Sequence, residues 1–192
     1  FDFFRTPRAD VFEKQKELFL HQIEIARAVG KPLMIHARPS KPSGDIKQGT
    51  YEVSMDAYED TLNILSTFPE VRANFHFFVG DTAIAKRAHV AGHTMSYDGP
   101  ITFTHEYDKT IKSLPLSAIM AETDSPYAAP EPYRTNAKDE GIANGDRRPA
   151  PARCEPWMVK EVVAKIANIR GEDHETVRLA TLENAKQFFK IL

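Results

Sequence analysis

Apolar and polar positions alternate along the chain with two different periods. Phe12, Phe19, Ile23 and Ala26 recur at spacings of seven, four and three, which lines one face of a helix. Asp10 followed by Glu13 has capping-box spacing at its start, and Gly30 with Pro32 supplies a stop. A short apolar run over 32–37 then predicts a buried strand ending in His36, followed by a Pro/Ser/Gly-rich loop over 39–50. A second amphipathic helix is expected over about 55–68 and a strand carrying His76 over 71–78. Further on, 83–91 predicts a helix, 93–98 a strand, 106–112 a short helix, and 117–124 a strand ending Glu122-Thr123-Asp124. Residues 125–151 read as an extended surface loop. Two helices close the chain, one facing inward through Met158, Val162, Ile166 and Ile169, the other through Leu182, Ala185, Phe189 and Leu192.

Strand and helix alternate in units of roughly 25 to 40 residues, the pattern of parallel βα units. A closed (β/α)₈ barrel typically needs about 250 residues, and this chain has 192. Periodicity therefore leaves two architectures open, an open doubly wound sheet or a barrel whose front is missing.

Composition narrows the class without choosing a function. Apolar residues at 42% and charged residues at 27% are those of an ordinary globular domain, and 192 residues can bury one core, so a single domain spanning 1–192 is expected. No apolar run reaches the roughly 18 residues of a membrane span, and FDFFRTPRAD lacks the basic and apolar regions of a secretory leader. Cys154 is the only cysteine, which precludes an internal disulfide, and a cytoplasmic protein with no membrane and no obligatory protein partner is expected. A net charge of −2 argues mildly against a protein that holds nucleic acid by charge alone.

The chemistry is concentrated at strand ends. His36, His76 and Asp124 each fall at or near the C-terminal end of an apolar strand, and in a parallel barrel those ends share the rim where active sites lie. Imidazole and carboxylate together suit a divalent metal ion. Glu122, two residues before Asp124, points to the same face of its strand. Arg38, two beyond His36, is placed to reach an anionic substrate. His21, His89, His93, His105 and His174 lie on helices or turns and are assigned no chemistry, Trp157 is expected to serve packing at the start of an apolar helix face rather than as a substrate platform, and Cys154 to be an inert loop thiol.

These strings resemble a known family. Pro32-Leu-Met-Ile-His36-Ala-Arg38 is similar to the fourth-strand histidine motif of TatD-type deoxyribonucleases, and Phe75-His76-Phe-Phe-Val-Gly80 to the fifth-strand motif, with Phe77 where a cysteine is usual. Glu122-Thr-Asp124-Ser-Pro-Tyr127 resembles the eighth-strand signature, the most specific of the set. Arg153-Cys-Glu155-Pro156 and Thr181-x-x-Asn184-Ala185 resemble the two closing motifs, and Phe1-Asp2-Phe3 the end of the third strand.

The resemblance implies a TIM-like (β/α)₈ barrel in which about the first two to three strands, roughly 60 to 90 residues, lie outside this sequence. It implies hydrolysis of phosphodiester bonds in DNA, assisted by two divalent ions (Mg, Mn or Zn) in the complete protein. His36, His76 and Asp124 would be metal ligands, with Asp124 also the general base, Glu122 orienting a ligand or binding substrate, and Arg38 and Arg134 phosphate contacts. The loops after His36 and after Arg134 are longer than usual, and their Lys41, Lys47, Arg147 and Arg148 could grip a nucleic-acid backbone. Two other expectations compete: a metal-dependent amide or ester hydrolase on the same barrel, and an inactive piece of the nuclease with an uncovered sheet edge.

Overall fold

The computed structural model describes residues 1–3, 9–39, 56–134 and 153–191. The chain divides into two compact units, Phe1–Ser96 with Ala185–Leu192, and Tyr97–Asn184. Among the described residues the order is α1 (Ala9–Val29), β1 (Leu33–His36), α2 (Ala57–Leu65), β2 (Ala73–His76), α3 (Thr82–Val90), β3 (Thr94–Tyr97), α4 (Asp108–Ser113), β4 (Ile119–Ala121), α5 (Val159–Arg170) and α6 (His174–Phe189). The strands are hydrogen-bonded in sequence order, β1-β2-β3-β4, and each is followed by a helix. The fold is therefore α/β with a parallel sheet, built as the repeating unit of a TIM-like barrel.

In the first unit, α1 buries Phe12, Ile23 and Ala26, the stripe its periodicity predicts. Gly30 ends the helix at φ 62°. The Gly30 amide donates to the Arg27 carbonyl and the Lys31 amide to the Ala26 carbonyl, at 3.2 and 3.0 Å. This six-to-one, five-to-two pair is the Schellman closure that only a left-handed residue permits. Gly92 (φ 84°) closes α3 the same way and delivers His93 to the start of β3. Asp56 and Asp81 cap α2 and α3, accepting from the amides of Tyr58 and Glu59 and of Ile84. The sequence patterns for α2 and β2 extended a few residues beyond the observed ends, as frayed ends usually do.

β1 pairs with β2 in parallel, Ile35 opposite Phe75 and His36 opposite His76, and β2 pairs with β3, Phe75 opposite Met95. Alternation sends Ile35, Phe75 and Met95, at most 6% exposed, to one face. There the Tyr58 ring of α2 lies 5.9 Å from Phe75 and 5.0 Å from Phe78. Its hydroxyl accepts from the Val79 amide at 2.8 Å. The opposite face carries Met34, His36, Asn74, His76 and Ser96, with the Asn74 amide donating to the Ser96 hydroxyl at 3.0 Å.

In the second unit, α5 packs against β4 and α4, and Ile111, Ile119, Val162 and Ile166 are fully buried. Burying such a side chain contributes about 1.5–3 kcal/mol each. The Arg170 guanidinium at the end of α5 donates to the carbonyls of Ile111 and Leu114, at 2.8 and 2.7 Å, closing the turn that leads into β4.

One sequence expectation is corrected. The inward stripe of α6 runs through Val177, Thr181, Asn184 and Phe188, while Leu182 is 45% exposed. The stripe is rotated because two of its members are polar residues with buried partners. Thr181 donates to the Val177 carbonyl, and the Asn184 amide donates to the carbonyls of Leu116 and Ile119, both at 2.8 Å. Trp157 packs near the surface, 47% exposed. Its indole N–H donates to Glu155, and its ring meets Tyr133 edge-on at 5.0 Å. Leu192, the side chain of Asp10, and the loop cations Lys41, Lys47, Arg147 and Arg148 lie outside the described residues.

Candidate metal centre

The first unit presents the histidine pair. His36 and His76 end β1 and β2 as in-register partners, so both rings leave the same face of the sheet. Their centroids are 6.5 Å apart. A single tetrahedral ion with nitrogen ligands at about 2.0–2.1 Å would bring two rings to roughly 5 Å between centroids. The pair thus has the donor type and facing of a metal site and stands about an ångström or more wider than one shared ion would draw it. Among the described residues, no three His, Cys, Asp or Glu side chains converge closely enough to hold an ion. The fit rests on donor chemistry and register.

A carboxylate that sequence reasoning passed over stands beside His36. Asp2 Oδ2 lies 3.3 Å from His36 Nε2. Residues 1–3 run alongside the end of β1: the Phe3 amide donates to the Arg38 carbonyl at 2.9 Å, and the Arg38 amide to the Phe1 carbonyl at 2.8 Å. The missed signal was the one used elsewhere, a lone polar residue between two aromatics at a strand end. Arg38 is exposed, two residues past His36.

The second unit carries the remaining candidates. The Glu122 amide, just after β4, donates to the carbonyl of Tyr97 at 3.0 Å, so the pairing with the end of β3 extends to the first residue of Glu122-Thr123-Asp124. Glu122 and Asp124 are both half-buried. The Tyr127 amide donates to the Asp124 carbonyl at 2.7 Å, which turns the chain immediately after the carboxylate. The segment that follows is seated by contact with Gly99: a Cβ built there would stand 1.9 Å from the Ala128 carbonyl oxygen. The Glu131 amide donates to the Thr102 hydroxyl at 2.8 Å, a second fastening. Arg134 lies with its guanidinium 3.9 Å over the Phe103 ring. Such stacking leaves the N–H donors in the plane of the guanidinium, pointing away from the ring. Asp98, also unremarked in the sequence, is a fully buried carboxylate following β3.

His93 has a strongly perturbed titration. It is 5% exposed, its Nδ1 accepts from the Ala73 amide at 3.2 Å, and its ring stands edge-on to Phe75. Burial, with a smaller contribution from the Arg72 charge, lowers its pKa to about 4. It lies at the opening end of β3, where the chain enters the sheet, away from the strand ends that carry His36 and His76. Its role is packing.

Comparison with known proteins gives a consistent picture. The family model described as TatD related DNase matches residues 1–190. The protein named uncharacterized metal-dependent hydrolase YcfH of Escherichia coli is 29% identical over 99% of this chain and 60% of its own length. YabD of Bacillus subtilis, also named an uncharacterized metal-dependent hydrolase, is 29% identical over 92% of this chain and 58% of its own. The human protein named deoxyribonuclease TATDN3 is 26% identical over 92% and 52%. Among solved structures, the TatD homologue YjjV of Escherichia coli superposes with a TM-score of 0.72 at 22% identity, over 100% of this chain and 61% of that one. The chain therefore spans between about half and three-fifths of the length of the relatives it matches.

Proposed function

This chain belongs to the TatD-related DNase family, and from that premise we propose that the complete protein is a divalent-metal-dependent hydrolase of phosphodiester bonds in DNA. The observation that carries the reading is the in-register pair His36 and His76, two imidazoles leaving one face at consecutive strand ends. The relative named as a deoxyribonuclease supports DNA as the substrate.

In this reading His36, His76 and Asp124 are metal ligands, and two ions serve the complete protein. A bound divalent ion supplies Lewis acidity toward a phosphoryl oxygen and acidifies water. Asp124 takes the proton from the attacking water, as a half-buried carboxylate on a turned backbone can. Glu122 orients the group beside it. Arg38 and Arg134 receive the phosphate, each through planar N–H donors that match two oxygens at once. With arginines and metal ions neutralising the phosphates locally, a net charge of −2 presents no obstacle.

The test uses the full-length protein, single-stranded DNA, and a panel of amide and ester substrates, each with and without EDTA. Cleavage of DNA that EDTA abolishes and added Mn or Mg restores is the expected result, with Asp124→Asn losing at least 100-fold (about 2.7 kcal/mol) in kcat. Metal-dependent turnover of an ester or amide with DNA untouched would replace the nuclease reading by the hydrolase alternative.

A further inference from the structure

The contact between Asp2 and His36 carries an inference that rests on, and deepens, the metal-hydrolase reading. We propose that Asp2, held in place by Gln15, fixes His36 as the Nε2–H tautomer and so leaves Nδ1 as the nitrogen that can ligate a divalent cation.

The geometry supports each link. Gln15, on α1, grips the main chain of Asp2 at two points. Its Oε1 accepts from the Asp2 amide at 2.8 Å, and its Nε2 donates to the Asp2 carbonyl at 3.1 Å. A primary amide used this way reproduces the pairing that a neighbouring strand would give. On its other side the same segment pairs with Arg38, as a parallel bridge between Asp2 and Arg38. With its backbone held from both sides, Asp2 directs Oδ2 to within 3.3 Å of His36 Nε2.

An ionised carboxylate can only accept a hydrogen bond, so the imidazole must donate, and Nε2 must carry the hydrogen. A neutral imidazole has one such hydrogen, so Nδ1 keeps its lone pair. A metal ligand needs that lone pair, and the hydrogen bond at the opposite nitrogen both sets the tautomer and stops the ring from turning. The His36 and Asp2 side chains are 53% and 47% exposed, open enough for an ion to reach the ring from solution. Asp2 and Gln15 are positioning residues. They act through His36 and touch no substrate.

The experiment reads the tautomer directly. Histidine-¹⁵N-labelled chain is studied by long-range ¹H–¹⁵N correlation at about pH 8.5, two units above the ordinary imidazole pKa of about 6.5. His36→Gln assigns the His36 signals. The wild-type chain should show Nε2 protonated and Nδ1 bare. Asp2→Asn should keep that pattern because its side-chain oxygen still accepts, whereas Asp2→Ala should show a mixture of both tautomers. Zinc competition against a chromophoric chelator should then show Asp2→Ala weaker by about 10- to 100-fold, with Asp2→Asn between it and wild type. A His36 ring protonated at Nδ1 in the wild type, or unchanged tautomer and zinc affinity in Asp2→Ala, would overturn the proposal. If the tautomer is as stated but the full-length protein binds no zinc at all, the role of Asp2 stands and the metal-hydrolase reading fails.

Discussion

Acid should unfold this chain through His93. At neutral pH the ring is neutral, with Nδ1 accepting from the Ala73 amide at 3.2 Å. Protonation would place a hydrogen on that nitrogen, facing another donor, inside a site 5% exposed and next to the Arg72 charge. The folded pKa of about 4 stands against an unfolded value of about 6.5. The unfolded chain therefore binds the proton first as pH falls. Stability is full above about pH 6.5, declines between there and about pH 4, and has lost the whole contribution below. A gap of about two and a half units at about 1.4 kcal/mol each sets a ceiling of about 3.5 kcal/mol, and between pH 7.5 and pH 5 the expected loss is about 2 kcal/mol.

Urea unfolding of wild type and His93→Gln at those two pH values isolates this share. Glutamine keeps an acceptor for Ala73 and removes the titration, while its lost ring contact with Phe75 costs the same at both pH values and cancels. With a urea slope of about 2 kcal/mol per molar, the wild-type midpoint should fall about 1 M further than that of the variant. Equal pH responses of the two proteins would refute the reasoning, as would a His93 resonance titrating near pH 6.5 in the folded state.

Other perturbations have defined outcomes. Asn184→Ala removes the donor to the carbonyls of Leu116 and Ile119, and leaving them unpaired should cost about 1–3 kcal/mol in chemical denaturation. Asn184→Asp should be no better at neutral pH, since a carboxylate cannot donate. Gly99→Ala places a methyl 1.9 Å from the Ala128 carbonyl oxygen; backbone must move, so a loss of about 3 kcal/mol or more is expected. In the full-length protein the same substitution should lower the kcat of the proposed DNA cleavage, because the displaced segment follows directly from Asp124. Asp56→Ala removes the cap of α2 and should cost about 1 kcal/mol, measurable as a lowered urea midpoint with an unchanged slope.

Local pattern alone determined the order of strands and helices, the inward stripes of α1 and α5, and the strand ends at which His36, His76 and Glu122-Thr-Asp124 stand. That information was legible because period and punctuation are properties of neighbouring residues: a 3.6-residue repeat, a glycine that can adopt positive φ, a carboxylate that caps the next turn. Tertiary structure decided the rest, because it depends on partners far along the chain. The α6 stripe could not be read from hydrophobicity, since Asn184 turns inward to carbonyls 65 and 68 residues away. Trp157 was legible as packing, but that its indole N–H and its ring are matched by Glu155 and Tyr133 near the surface was decided by the fold. His93 became the buried histidine only when Ala73 and Phe75 came to surround it. Asp2 gained its meaning from Gln15 on one side and His36 on the other, 13 and 34 residues away. A sequence displays which residues can do chemistry, but hydrogen-bond partners, burial and tautomer are set by what the fold brings beside them.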